Sequence, residues 1–300
     1  MAYPYTENGY NMFDMLSMIQ KAIRRSDYVH ASFAAKQLKG RYRKTMWSRL
    51  IVISSEDCYG VLTKELIALK EQDDACTDDK NLSDAVALLC RAKKSRDACY
   101  FACNFVLANR KPRNFEFGDA EIADFHYRLI RASDVINGRE EQNNVGQLTL
   151  GDTCFKDVAI DCHDLILELP DEELEIINNG LALQKALKHR DMDMIGYHAN
   201  FYREQCRGKF WDVVVDYAMN NARPLISEII ALKAADDFVN RAKKPLSKDN
   251  IFMTKAIMLI CYFEDDRFET VLSNPIVEFD KFVDWSKWNV PSIDRGRLIN

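Results

Sequence analysis

QKAIRRSD at residues 20–27 returns as QKALKHRD at residues 184–191. One match of eight residues is weak, and it gains weight only if further matches follow in the same order at a nearly constant offset. They do. Met46 and Trp47 pair with Phe210 and Trp211 at the same offset of 164, and ELIALKEQDD (65–74) pairs with EIIALKAADD (228–237) at 163. DAVALLC (84–90) then pairs with KAIMLIC (255–261) at 171, which places a longer connection in VNRAKKPLSKDN. The competing account is chance likeness between helical segments of similar composition. Four ordered blocks instead predict two homologous domains, residues 10–112 and residues 176–290, joined by a connector at 113–175; a gap this long excludes a solenoid of short period.

Within the first copy, FDMLSMIQKAI puts Phe13, Leu16, Ile19, Ala22 and Ile23 on one helical face. Asp27 stands where it can cap a second helix, HASFAAKQL. WSRLIVISSEDC forms a third with Trp47, Leu50, Ile51 and Ser54 inward, VLTKELIALKEQ a fourth, LSDAVALLCRA a fifth capped by Ser83, and RDACYFACNFVLANR a sixth. The second copy repeats the plan from LALQKALKHRD through FMTKAIMLICYF. In the connector, AEIADFHYRLIRASDVI reads as a helix, and turn residues among β-formers suggest a short hairpin near residues 148–160. The two tryptophans of WSKWNVPSIDRGRLIN are expected to pack on the second copy.

Composition agrees with a mainly α fold. Only 11 Gly and 7 Pro interrupt 300 residues that are 47% apolar and 29% charged. The start MAYPYTENGYNMF has neither the basic opening nor the apolar stretch of a secretory signal, and no run of about 18 apolar residues occurs, so a cytoplasmic protein without membrane contact is expected. Nine scattered cysteines suit reduced thiols better than a disulfide frame. A net charge of −5 argues against a surface that grips nucleic acid all round, but leaves room for a local basic patch.

Copy one resembles the carboxy-terminal helical domain of the replication-associated recombination ATPases, the RarA/MgsA family with its eukaryotic relative, the Werner-helicase-interacting ATPase. The resemblance runs through MIQKAIRRSD (18–27), HASFAAKQL (30–38), WSRLIVISSEDCYG (47–60) and DAVALLCRAKKSRDACYFA (84–102). Its most specific elements are Ser55, Glu56, Asp57 and Gly60, with Ala92, Lys94 and Ser95. Two departures stand out: Lys93 replaces the family's proline before the Lys-Ser pair, and Asn220 and Asn221 stand in copy two where copy one has Glu56 and Asp57. The resemblance implies a helical bundle of the clamp-loader collar type that assembles subunits, with Ser55, Glu56, Asp57, Gly60 and Ser95 serving structure or oligomerisation. The family's ATPase module is not among these residues; GVLTKEL and GRYRKTM lack the second glycine and the Lys-Ser/Thr pair of a phosphate loop.

Two basic runs are candidate surfaces for DNA or an acidic partner: Lys39, Arg41, Arg43 and Lys44, continued by Arg49, and Arg91, Lys93, Lys94 and Arg96. For the first, the competing reading is a solvated loop whose aromatics belong to the core, because Trp47 matches Trp211 in a copy with a reduced basic run. Glu56 and Asp57, adjacent on a helix, point about 100° apart and do not make an acid and base pair. No cysteine and histidine group has metal spacing, no cofactor motif appears, and no catalytic motif supports an enzyme. The expected function is therefore a non-catalytic oligomerising accessory protein of DNA replication or repair, of a stripped kind that suits a small genome such as a phage's, acting on copies of itself, a replication ATPase or DNA. The alternative is an interaction protein that inhibits a host complex without DNA, and a weaker third is an enzyme built in residues 113–175.

Overall fold

The computed structural model describes residues 4–60, 62–105, 115–139, 169–240 and 250–262. It is mainly α: among these residues 79% are helical, in twelve α-helices with no strand. The expected hairpin near 148–160 and the tryptophans at 285 and 288 lie outside the described residues. The chain divides into two compact units, one built on residues up to 99 and 237–240, the other on residues 100–236 and 250–262.

The first unit contains α1 (Met12–Arg24), α2 (Tyr28–Leu38), α3 (Arg43–Glu56), α4 (Thr63–Ala75) and α5 (Asp79–Arg91), and α6 (Asp97–Phe105) begins in it. Helix α1 packs on α2, α3 and α5; α5 also packs on α2, α3 and α4. Ile19, Ile23, Leu38, Met46, Leu50 and Leu89 lie fully buried at the centre. QKAIRRSD shows why the chain turns where it does. Ser26 takes a left-handed φ of 56°, Asp27 N–H returns to Ala22 O at 2.8 Å and Ser26 N–H to Ile23 O at 2.9 Å, closing the end of α1. The Asp27 carboxylate then accepts from His30 N–H at 3.1 Å and starts α2.

Two local expectations are corrected. Phe13 is 62% exposed, although Leu16, Ile19, Ala22 and Ile23 share the buried face; it sits in the first turn of α1, on the side away from the core. Ser83 does not cap α5, because the helix starts four residues earlier under Asp78, whose carboxylate accepts from Lys80 N–H, and Ser83 is buried within it. The run at 39–44 is also less loop-like than expected, since α3 already begins at Arg43.

The second unit contains α7 (Asp119–Ile136), α8 (Asp171–His189), α9 (Met192–Gln205), α10 (Arg207–Asn221), a 3-10 turn (Arg223–Leu225) and α12 (Ile251–Cys261), and α11 (Ile226–Asn240) begins in it. Helix α8 packs on α9, α10 and α12, and α10 packs on α9 and α12. Connector helix α7 lies on α10 and α8 and is thus part of this unit's bundle. Its approach depends on Gly180 of α8: a Cβ there would stand 2.5 Å from the Phe125 ring and 2.9 Å from the Tyr202 hydroxyl. That hydroxyl donates to Ile176 O at 2.6 Å.

Three helix starts and one turn of the first unit have matches in the second at the offsets read from the sequence. Tyr28 and Met192, and Arg43 and Arg207, open their helices 164 residues apart, and Thr63 and Ile226 do so 163 apart. Arg190 has φ 52° where Ser26 has 56°, Asp191 N–H returns to Ala186 O, and the Asp191 carboxylate caps α9 through Met194 N–H.

Candidate functional site

The motif residues meet where α3 ends. Asp57 is the C-cap of α3 and fully buried. Its chain folds onto the segment after α5 through a Cys58–Lys94 bridge, with Ser95 N–H on Asp57 O at 3.1 Å and Tyr59 N–H on Lys93 O at 2.7 Å. Gly60 closes this turn at φ 102°, a conformation that costs a side-chain-bearing residue more than glycine. Arg24 grips Asp57 with two bonds, Nε to Oδ1 at 2.7 Å and Nη2 to Oδ2 at 3.1 Å, and Gln20 Nε2 donates to the same Oδ2 at 2.9 Å. Gln20 Nε2 also reaches Glu56 at 3.1 Å, while Arg96 stands 3.8 Å from Glu56 and 3.7 Å from Asp57.

The two carboxylates therefore converge, contrary to the 100° divergence expected, because Asp57 has already left helical geometry. Their oxygens are held by the Gln20 amide and the Arg24 guanidinium, both of α1, with the Arg96 guanidinium beside them, which fixes the α3 end to α1 and to residues 93–96. Ser55 is buried beneath them, its Oγ without a hydrogen bond, and Ser95 Oγ accepts from Asp97 N–H at 3.1 Å, starting α6. Gln20 and Arg24 were not singled out from sequence. The available signal was a glutamine and an arginine one helical turn apart on a helix whose neighbours are apolar.

The basic candidates part company. Arg43 lies in a fork: Nε donates to Asp73 Oδ2 at 2.9 Å and Nη2 to Asp73 Oδ1 at 2.5 Å, while Nη1 reaches Asp79 at 3.0 Å. Trp47 Nε1 donates to the same Asp73 at 2.8 Å. Burial pushes the Asp73 carboxyl up, but Arg43 and Trp47 outweigh it and hold it below the usual carboxylate range; the Asp73 bond in turn raises the Arg43 guanidinium. Lys39 pairs with Asp79. Lys94 is half-buried, its Nζ donating to the last carbonyls of α5, Leu89 O at 2.5 Å, Cys90 O at 3.2 Å and Ala92 O at 2.8 Å, and burial lowers its pKa. Arg41 lies 5.6 Å from the Tyr42 ring centre and Lys93 5.4 Å from that of Tyr59. Lys44, Arg91 and Lys93 are exposed.

The Arg43 fork has a counterpart in the second unit. Arg207 Nε donates to Asp236 Oδ2 at 2.8 Å and Nη2 to Oδ1 at 2.5 Å; Nη1 reaches Asn250 at 3.3 Å, and Trp211 Nε1 reaches Asp236 at 3.3 Å. Asn250 stands 171 residues after Asp79, the offset of the last sequence block. The Asp57 cluster has no such counterpart, since Lys188 and Asn221 occupy the matching positions. Gln184 is retained and turns to Asp216, at 2.7 Å, where Arg128 of α7 stands 3.2 Å away; burial dominates and pushes the Asp216 carboxyl up. His198 is buried against Asn179 at 2.8 Å, with its pKa pushed down to about 4 by burial. Among the described residues no three histidine, cysteine or acidic side chains gather as metal ligands. Comparisons of the chain with protein-family models, curated proteins and solved structures find no match.

Proposed function

We propose that the chain is a tandem pair of sister helical bundles of the clamp-loader collar type, and that it serves DNA replication or repair as a non-catalytic assembly protein. The observation that carries this reading is the paired fork, in which arginine, tryptophan, aspartate and an acceptor at the head of the next helix take the same roles at matching offsets. Random helical packing has no reason to repeat a four-member polar network of this kind. The role rests on helical faces that bind copies of the chain and a replication ATPase. Light scattering on the full chain tests it. A mass of at least twice 34.7 kDa at micromolar concentration is expected; a single-chain mass throughout the accessible range would overturn self-association.

The second reading, a protein-binding or inhibitory role without DNA, is favoured by one observation. Lys39, Arg43 and Lys94 are spent on protein acceptors, and the exposed candidates Arg41, Lys44, Arg91 and Lys93 are the ones placed to meet phosphate. Binding to a single-stranded oligonucleotide that falls steeply with salt and disappears when those four become Glu supports the DNA arm. Its absence supports a protein partner alone.

A further inference from the structure

The approach to the third helix differs between the two units in a way that their shared fork does not require. At the offset of 164 that matches Arg43 with Arg207, Arg41, Tyr42 and Lys44 stand where the second unit has Gln205, Cys206 and Gly208. Both forks form, so the three residues are not what holds the fork together. Arg41 and Lys44 are exposed. The Arg41 guanidinium lies 5.6 Å from the centre of the Tyr42 ring, and Tyr42, packed against the core, donates its hydroxyl to Tyr5 O at 3.2 Å.

That bond ties the start of α3 to a turn built ahead of α1. Thr6 N–H returns to Tyr10 O at 2.8 Å, Gly9 N–H to Thr6 O at 2.9 Å and Met12 N–H to Pro4 O at 2.8 Å, while the Tyr10 ring meets Phe33 edge-on at 5.4 Å. The backbone of Tyr5 is thus fixed, yet Tyr5 is 49% exposed. An aromatic side chain presented from a fixed turn, beside a guanidinium laid on a second ring and a lysine, is the combination that holds the bases and phosphates of a single strand. One acid stands near: Glu7 Oε1 would lie 3.0 Å from a Cβ on Gly40.

We infer that Tyr5, Arg41 and Lys44, with Tyr42 as their support, form a site for single-stranded nucleic acid, a base stacking on Tyr5 and phosphates meeting Arg41 and Lys44. The inference deepens the DNA arm of the proposed function and rests on it. A duplex is the poorer ligand, because its bases are already stacked on one another.

The probe is a labelled oligothymidine, titrated with the full chain by fluorescence anisotropy at several salt concentrations. Tyr5→Ala is expected to weaken binding at least about fivefold at every salt concentration and to leave the salt slope unchanged. Tyr5→Phe should keep the affinity. Arg41→Gln and Lys44→Gln should each lower the slope by about 0.7, the mark of one lost phosphate contact on a single strand, and Glu7→Gln should tighten binding. Tyr42 is bonded to the backbone carbonyl of Tyr5, so Tyr5→Ala leaves that acceptor in place and the loss reports the ring. Unchanged affinity of Tyr5→Ala overturns the inference, as does a duplex bound as tightly as the single strand. Binding that is lost when Arg91 and Lys93 become Glu but ignores Tyr5 and Arg41 defeats this site and leaves the DNA arm standing. No binding by the unaltered chain defeats both.

Discussion

Ser26 and Arg190 are two side-chain-bearing residues that hold left-handed backbone, at φ 56° and 52°. Each sits within two residues of its helix end, where the chain reverses, a place where glycine is normally favoured because it has no Cβ to clash. Ser26→Gly and Arg190→Gly should therefore each stabilise the protein by about 0.5–1 kcal/mol in urea unfolding, even though glycine loses more entropy on folding. Equal gains at both sites are the expected outcome, and a loss at either would mean that the side chain supplies something the geometry does not reveal. These two residues lie inside the stretch from which the repeat was read. Their similarity as letters is nil; the conformation is shared because the flanking pattern, an alanine four residues before the turn residue and an aspartate after it, closes the same hydrogen bonds.

At the scale of helices, much was legible and the exceptions have physical causes. The apolar spacing of α1 and the Asp27 cap could be read because each is a local property of periodicity or of one acceptor beside free N–H groups. The start of α5 was misplaced because Asp78 and Ser83 are both competent caps and only packing chooses between them. The Asp57 cluster was half legible: its carboxylates could be named, but Gln20 and Arg24 come to them from α1 and Arg96 from the segment after α5, and sequence spacing does not carry tertiary meeting points. The placement of α7 on α10 was likewise hidden, although Gly180 marks it. Gly180→Ala would press a methyl into Phe125 and Tyr202, and should cost about 1–3 kcal/mol as overpacking. Hydrogen exchange should report faster opening of α7 and α8 in this variant, with α1–α3 unchanged.

For the molecule as a whole, the account turns on whether two units with different surfaces are held by one internal device. The polar clusters at the ends of α3 and α10 differ: the first unit has Arg24 and Asp57 where the second has Lys188 and Asn221. The forks are alike, and both aspartates are nearly inaccessible, with side-chain exposures of 4% for Asp73 and 3% for Asp236. Removing the aspartate leaves the buried indole donor unmet and takes away the arginine's two-bond partner, at a cost of about 3 kcal/mol. The most direct measurement is urea unfolding of Asp73→Ala and Asp236→Ala side by side. Losses within about 1 kcal/mol of each other, each in the transition of its own unit, are the predicted result. A large loss at one site with none at the other would contradict the sister-bundle account.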